Sequence, residues 1–171
     1  IKTRRPEVVL ATKGKSQVGP KPNDVGVNKK YVMRAIDDSL KRLGTDYVDL
    51  YQIHSPDLTT PIEETVEAYN DIVRSGKARY IGVSNFSGAQ LIEALWAQDK
   101  NGFTKFHSVQ PRYNLLYREA ERELFPACLD QGVGVMVYSP QAGGFLLGKH
   151  RNFKVETRDG GRFSDDFKAV N

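Results

Sequence analysis

Val48-Asp49-Leu50-Tyr51-Gln52-Ile53-His54 is an apolar, strand-forming run that stops on a reactive side chain. Thr60-Pro61-Ile62-Glu63 follows it, with a capping Thr, a proline at the first helical position and a glutamate three residues after the cap, so a helix is expected to begin there. Apolar positions Ile62, Val66, Tyr69 and Val73 then repeat at helical spacing, and Ser75-Gly76 closes the segment. A buried strand, a polar strand end and a capped amphipathic helix make one β/α unit.

The same unit recurs on both sides. Upstream, Val8 to Lys13 reads as a strand, residues 14–28 as a long loop rich in Gly, Pro and Asn, and Asn28 as the cap of a helix over Lys29 to Leu43 that Gly44 stops. Downstream, Ala78 to Ser84 is a strand, and Ser87 to Gln90 a capping box for a helix carrying Leu91, Leu95 and Trp96. His107 to Gln110 is a shorter strand, and Glu119 to Gln131 a helix that Pro126 should bend or start late. Gly132 stops it before the strand Val133 to Tyr138, and residues 141–171 carry no clear period and read as loop and tail.

Five strands alternating with helices give an α/β fold with a parallel sheet. Every strand ends in chemistry: Lys13, His54, Ser84-Asn85, Gln110 and Tyr138-Ser139. In a β/α barrel all carboxyl ends open on one face, where these residues would meet. A complete eight-stranded barrel takes about 250 residues, so 171 would be part of one. The other architecture, a doubly wound open sheet, fits the length, but no Gly-x-Gly-x-x-Gly turn follows the first strand and the chemistry is spread over all five strand ends.

Composition narrows the function. With 39% apolar and 27% charged residues the chain can build a core, and no apolar stretch approaches the about 18 residues of a membrane helix. The net charge of +4 is scattered through Lys29, Lys30, Lys41 and Arg42 rather than gathered in a basic stripe, which argues against a nucleic-acid partner. The single cysteine, Cys128, rules out an internal disulfide or a cysteine zinc cage and reads as a small core residue; a cytoplasmic location is expected.

Leu40-Lys41-Arg42-Leu43-Gly44-Thr45-Asp46-Tyr47-Val48-Asp49-Leu50-Tyr51-Gln52-Ile53-His54, Gly82-Val83-Ser84-Asn85-Phe86, Val109-Gln110-Pro111-Arg112-Tyr113-Asn114 and Tyr138-Ser139-Pro140, in this order, resemble the aldo-keto reductase family. The likeness is greatest to the branch with bacterial and plant aldo-keto reductases and potassium-channel β subunits. It implies a partial (β/α)8 TIM barrel, strands three to seven of eight, in one incomplete domain. It also implies hydride transfer from NADPH to a small-molecule aldehyde or ketone.

By resemblance, Lys13 and His54 would be the lysine and histidine of the catalytic set, while Ser84, Asn85, Gln110 and Tyr138 would hold the nicotinamide. Ser139, Gln141, Lys149 and Arg162 would lie along the phosphates. The aspartate and tyrosine of the set would come from the first two strands, upstream of Ile1, leaving this chain poorly active alone. A non-catalytic nicotinamide-binding regulatory subunit of the same fold is the alternative. Taken singly, Lys13 reads equally as a strand-end lysine paired with a carboxylate, and His54 as a buried, hydrogen-bonded histidine.

Overall fold

A computed structural model describes residues 2–148. A single five-stranded parallel sheet runs in the order β1 (Ala11–Gly14), β2 (Val48–Ile53), β3 (Ala78–Ser84), β4 (Ser108–Gln110) and β5 (Gly134–Val135). Between successive strands lie α1 (Lys29–Leu43), α2 (Ile62–Arg74), α3 (Gly88–Lys100) and α4 (Leu124–Gln131). Strand order follows chain order, as in a barrel; a doubly wound sheet reverses direction from a switch point.

The helix boundaries follow local chemistry. Asn28 accepts the amide of Tyr31, and Gly44 closes α1 in the left-handed region at φ 63°. Ser87 and Gln90 form the reciprocal capping box of α3. Pro126 is the third residue of α4, where no intrahelical amide bond is lost, so the helix starts late, after a 3-10 turn over Glu119–Glu121.

Local signals fail where tertiary contacts compete for the same atoms. Thr60 does not cap α2: its hydroxyl goes to Asp57 at 3.3 Å, and Pro61 occupies the cap position without a side-chain bond. Val8 to Leu10 leave the first strand because the Leu10 amide donates to the Asp49 carboxylate at 2.6 Å and residues 2–7 coil into a 3-10 turn. The last strand keeps only Gly134–Val135 as regular ladder, although the Met136 and Tyr138 amides still reach the carbonyls of Val109 and Pro111. Ala142–Leu147 holds 3-10 turns interrupted by Gly143 and Gly144 at φ 69° and 99°, within the loop expected there, and Trp96 is exposed, its ring beneath Lys100.

Tyr51, Ile53, Ile81, Val83 and Val109 alternate toward the helices and are buried among Ile36, Ile72, Leu91 and Cys128. The strand positions between them face the other way, across the concave side of the sheet. Register aligns them in rows, Lys13, Gln52, Gly82, Ser108 and Gly134 in one and Ser84 with Gln110 in the next.

At the amino ends of the strands Arg5 pairs with Asp49 at 2.7 Å and stacks on Tyr47, whose ring Arg79 also approaches. Burial opposes ionisation of Asp49, but the Arg5 guanidinium and the Leu10 amide outweigh it and hold the carboxyl below its ordinary range. A lowered folded-state value adds stability above the unfolded carboxylate range, about pH 4, which is lost as pH falls through the folded value. Arg5→Met is therefore expected to cost about 2 kcal/mol near neutrality. Urea midpoints should show the gap between variant and wild type narrowing below about pH 4; a gap constant in pH would contradict the pairing.

Candidate active site

Lys13 ends β1 on the concave face, and His54 follows β2 two residues beyond Gln52, on the same side. Ser84 and Gln110 are register partners on that side, and Tyr138 bridges in parallel to Arg112, two residues past Gln110. Lys13, His54, Ser84, Gln110 and Tyr138 thus share one face at the carboxyl ends of the strands. Lys13 has no ion-pair partner among the described residues, and His54 is hydrogen-bonded, as one alternative expects, but exposed rather than buried.

Asn85 ties three of these strand ends together. Its backbone sits in the left-handed region at φ 59°, tolerated by Asn better than by most side chains. From there Nδ2 donates to the His54 carbonyl at 2.9 Å and to Ser84 Oγ at 3.1 Å, while Oδ1 accepts the Tyr138 hydroxyl at 2.8 Å. Ser84 Oγ in turn donates to the Gln110 carbonyl at 2.8 Å. The donors of Asn85 and the proton of Ser84 are therefore committed within the protein. The Gln110 side-chain amide has no hydrogen-bond partner among the described residues, and the Tyr138 ring is 37% exposed.

Beyond Tyr138 the chain turns through Ser139 at φ 55°. Asn114, buried in the β4–α4 loop, donates from Nδ2 to the Ser139 carbonyl at 3.0 Å and so fixes this turn. The same loop is clasped by Tyr113 and Arg118, which both bond Glu121. Glu121 is held below the usual carboxylate range by Arg118 first and by the Tyr113 hydroxyl second. Next to Asn85 and Tyr138 lies a cavity of about 470 Å³, floored by Phe86 and Pro111 and rimmed by Arg112 and Glu123.

The aldo/keto reductase family model matches residues 1–166. The chain belongs to that family. An uncharacterized oxidoreductase of Bacillus subtilis (strain 168), YrpG, is 44% identical over 159 residues, covering 91% of this chain and 49% of that protein. Versiconal hemiacetal acetate reductase of Aspergillus parasiticus is 44% identical over 133 residues, 78% of this chain and 38% of its own length. A probable voltage-gated potassium channel subunit beta of Arabidopsis thaliana is 41% identical over 151 residues, 86% of this chain and 45% of its own. This member of the family thus spans about half the length, or less, of these relatives.

Ser139 and Gln141 follow Tyr138 in the chain, and their side chains make no hydrogen bonds among the described residues. Lys149 and Arg162 lie outside the described residues. Gln52, Asn114 and Ser16 belong to the site region and were not singled out by sequence reasoning. The strand alternation that selects His54 also selects Gln52, two residues earlier; it is 1% exposed, with Nε2 unpartnered. Among the described residues no group of three or more His, Cys, Asp or Glu side chains converges as a metal site, and no helix is long and apolar enough to cross a membrane.

Proposed function

We propose that this chain is the cofactor-binding part of a cytoplasmic, NADPH-dependent reductase of a small aldehyde or ketone. The observation that carries the reading is the convergence of Lys13, His54, Asn85, Gln110 and Tyr138, from five strand ends, on one face. The donor set fits a nicotinamide. Gln110 offers a free amide with both donor and acceptor, which is what a carboxamide needs for a single orientation. Tyr138 is pinned through its hydroxyl to Asn85 and keeps an exposed ring face for stacking. Asn85 and Ser84 then act by holding Tyr138 and the Gln110 backbone, each with acceptor capacity left over.

The nicotinamide, when bound, supplies a hydride for the carbonyl carbon. Lys13 is proposed to supply an ammonium that favours negative charge on a nearby oxygen. His54 as a neutral imidazole donates a hydrogen bond that orients the carbonyl oxygen. Ser139 and Gln141, with Lys149 and Arg162, are proposed to line the phosphates, and residues 14–28 to form the substrate side. A non-catalytic nicotinamide-binding role is favoured by one observation: Tyr31, which lines the same cleft as Lys13, commits its hydroxyl proton to the Ser16 carbonyl.

Titrating the chain with NADPH and following nucleotide fluorescence should give saturable binding. Gln110→Ala is expected to weaken it about tenfold, the loss of one good hydrogen bond, and Tyr138→Phe far less, because the ring remains. Absence of binding, or indifference to Gln110→Ala, would refute the reading.

A further inference from the structure

The loop between β1 and α1 returns to the site. The Gly26 amide donates to the Lys15 carbonyl at 3.1 Å, and the buried Tyr31 hydroxyl donates to the Ser16 carbonyl at 2.6 Å. The Lys15 ammonium reaches across to Ser55 Oγ at 2.9 Å and to the Pro56 carbonyl, beyond the end of β2. With Lys15 itself at φ 114°, the backbone here is fixed in a shape few side chains adopt unaided. That shape sets the Ser16 hydroxyl 2.8 Å from Nδ1 of His54. On the other side the His54 amide donates to the Gly14 carbonyl at 3.0 Å and its carbonyl accepts Asn85.

A neutral imidazole carries its proton on one nitrogen, and the hydrogen bond made by the other decides which. We propose that Ser16 is a positioning residue: by donating its hydroxyl to Nδ1 it holds His54 as the tautomer protonated on Nε2. Of the two partners the imidazole nitrogen is the stronger base and the hydroxyl the freely rotating donor, so the 2.8 Å contact is better made as O–H to nitrogen than as N–H to oxygen. The consequence for chemistry rests on the proposed carbonyl reduction. An Nε2–H directed at the mouth attracts a carbonyl oxygen; a bare Nε2 repels it.

The tautomer can be read directly. The chain has three histidines, so nitrogen-15 NMR of histidine-labelled protein, at about pH 8.5 where imidazoles are neutral, gives few signals, and His54→Gln assigns the relevant one. The expected spectrum shows His54 protonated on Nε2. Ser16→Ala should raise the minor tautomer about fivefold, the population change that one neutral hydrogen bond makes, and Ser16→Thr should restore the wild-type pattern. Protonation on Nδ1 in the wild type, or a pattern unmoved by Ser16→Ala, overturns the proposal. If Ser16→Ala fails to fold, the wild-type spectrum still decides. Loss of NADPH binding with the tautomer intact would count against the functional reading alone, and the converse against the Ser16 assignment alone.

Discussion

Gly82→Val is expected to lower the urea midpoint by about 1–2 M, from a destabilisation of about 3 kcal/mol or more. A Cβ at this position would stand 2.5 Å from Ser108 Oγ and 2.7 Å from the Ser108 carbonyl oxygen, the partner residue on β4. The hydroxyl can rotate away; the carbonyl belongs to the neighbouring strand and cannot move without opening the β3–β4 ladder. That ladder has three register pairs, the last of which aligns Ser84 with Gln110, so the same substitution should also weaken NADPH binding. Gly76→Ala separates crowding from backbone strain. Gly76 sits at φ 75° with nothing within 4 Å of its would-be Cβ, so only the left-handed backbone opposes the change, at about 1–2 kcal/mol. Equal effects from the two variants would mean that the concave side of the sheet is looser than its register implies.

Elements were legible in the sequence wherever one residue's local chemistry had no rival. Asn28, Gly44, Ser87 with Gln90, and Gly132 each act within a turn of their own position, and each does what its type suggests. Thr60 misleads because Asp57, three residues away, accepts its hydroxyl in a tight loop that also accepts the amide of Val27 from a distant segment. Periodicity had no means of registering this competition. The same holds at the site. The strand-end pattern finds Lys13, His54, Gln110 and Tyr138 because alternation in a parallel sheet sends such positions to one face. Ser16 and Asn114 act across loops, 38 and 25 residues from the groups they hold, and nothing in their neighbours' spacing marks them. Their signal lies in hydrogen bonds that exist only after folding.

Carbonyl-dependent oxidation of NADPH by these 171 residues is expected to run about 10²- to 10⁴-fold slower than by a longer form that brings a tyrosine hydroxyl to Lys13, the usual worth of a positioned general acid. Every one of the eight tyrosines is engaged elsewhere. Tyr51 and Tyr69 stack on the helix side of the sheet, and burial pushes both hydroxyls up, away from the proton-donating range. Tyr47 lies between Arg5 and Arg79, Tyr80 against His107, and Tyr117 under Arg112. Tyr113 donates to Glu121 and Tyr138 to Asn85.

Tyr31 lines the same small cleft as Lys13, yet its proton goes to the Ser16 carbonyl and burial raises its value. A general acid needs the opposite shift, downward toward the working pH. Without such a tyrosine, the proton for the nascent alkoxide must come from water, from the Lys13 ammonium or from His54, which also serves to orient the carbonyl. The measurement is single-turnover loss of NADPH absorbance with a simple aldehyde, at saturating nucleotide, for the short and the long polypeptides. Comparable rates would show that the proton comes from a group already present on this face, with His54 the first to test by His54→Gln. Tight NADPH binding with slow turnover would instead identify Asn85, Gln110 and Tyr138 as a nicotinamide cradle whose proton donor is supplied from outside these strands.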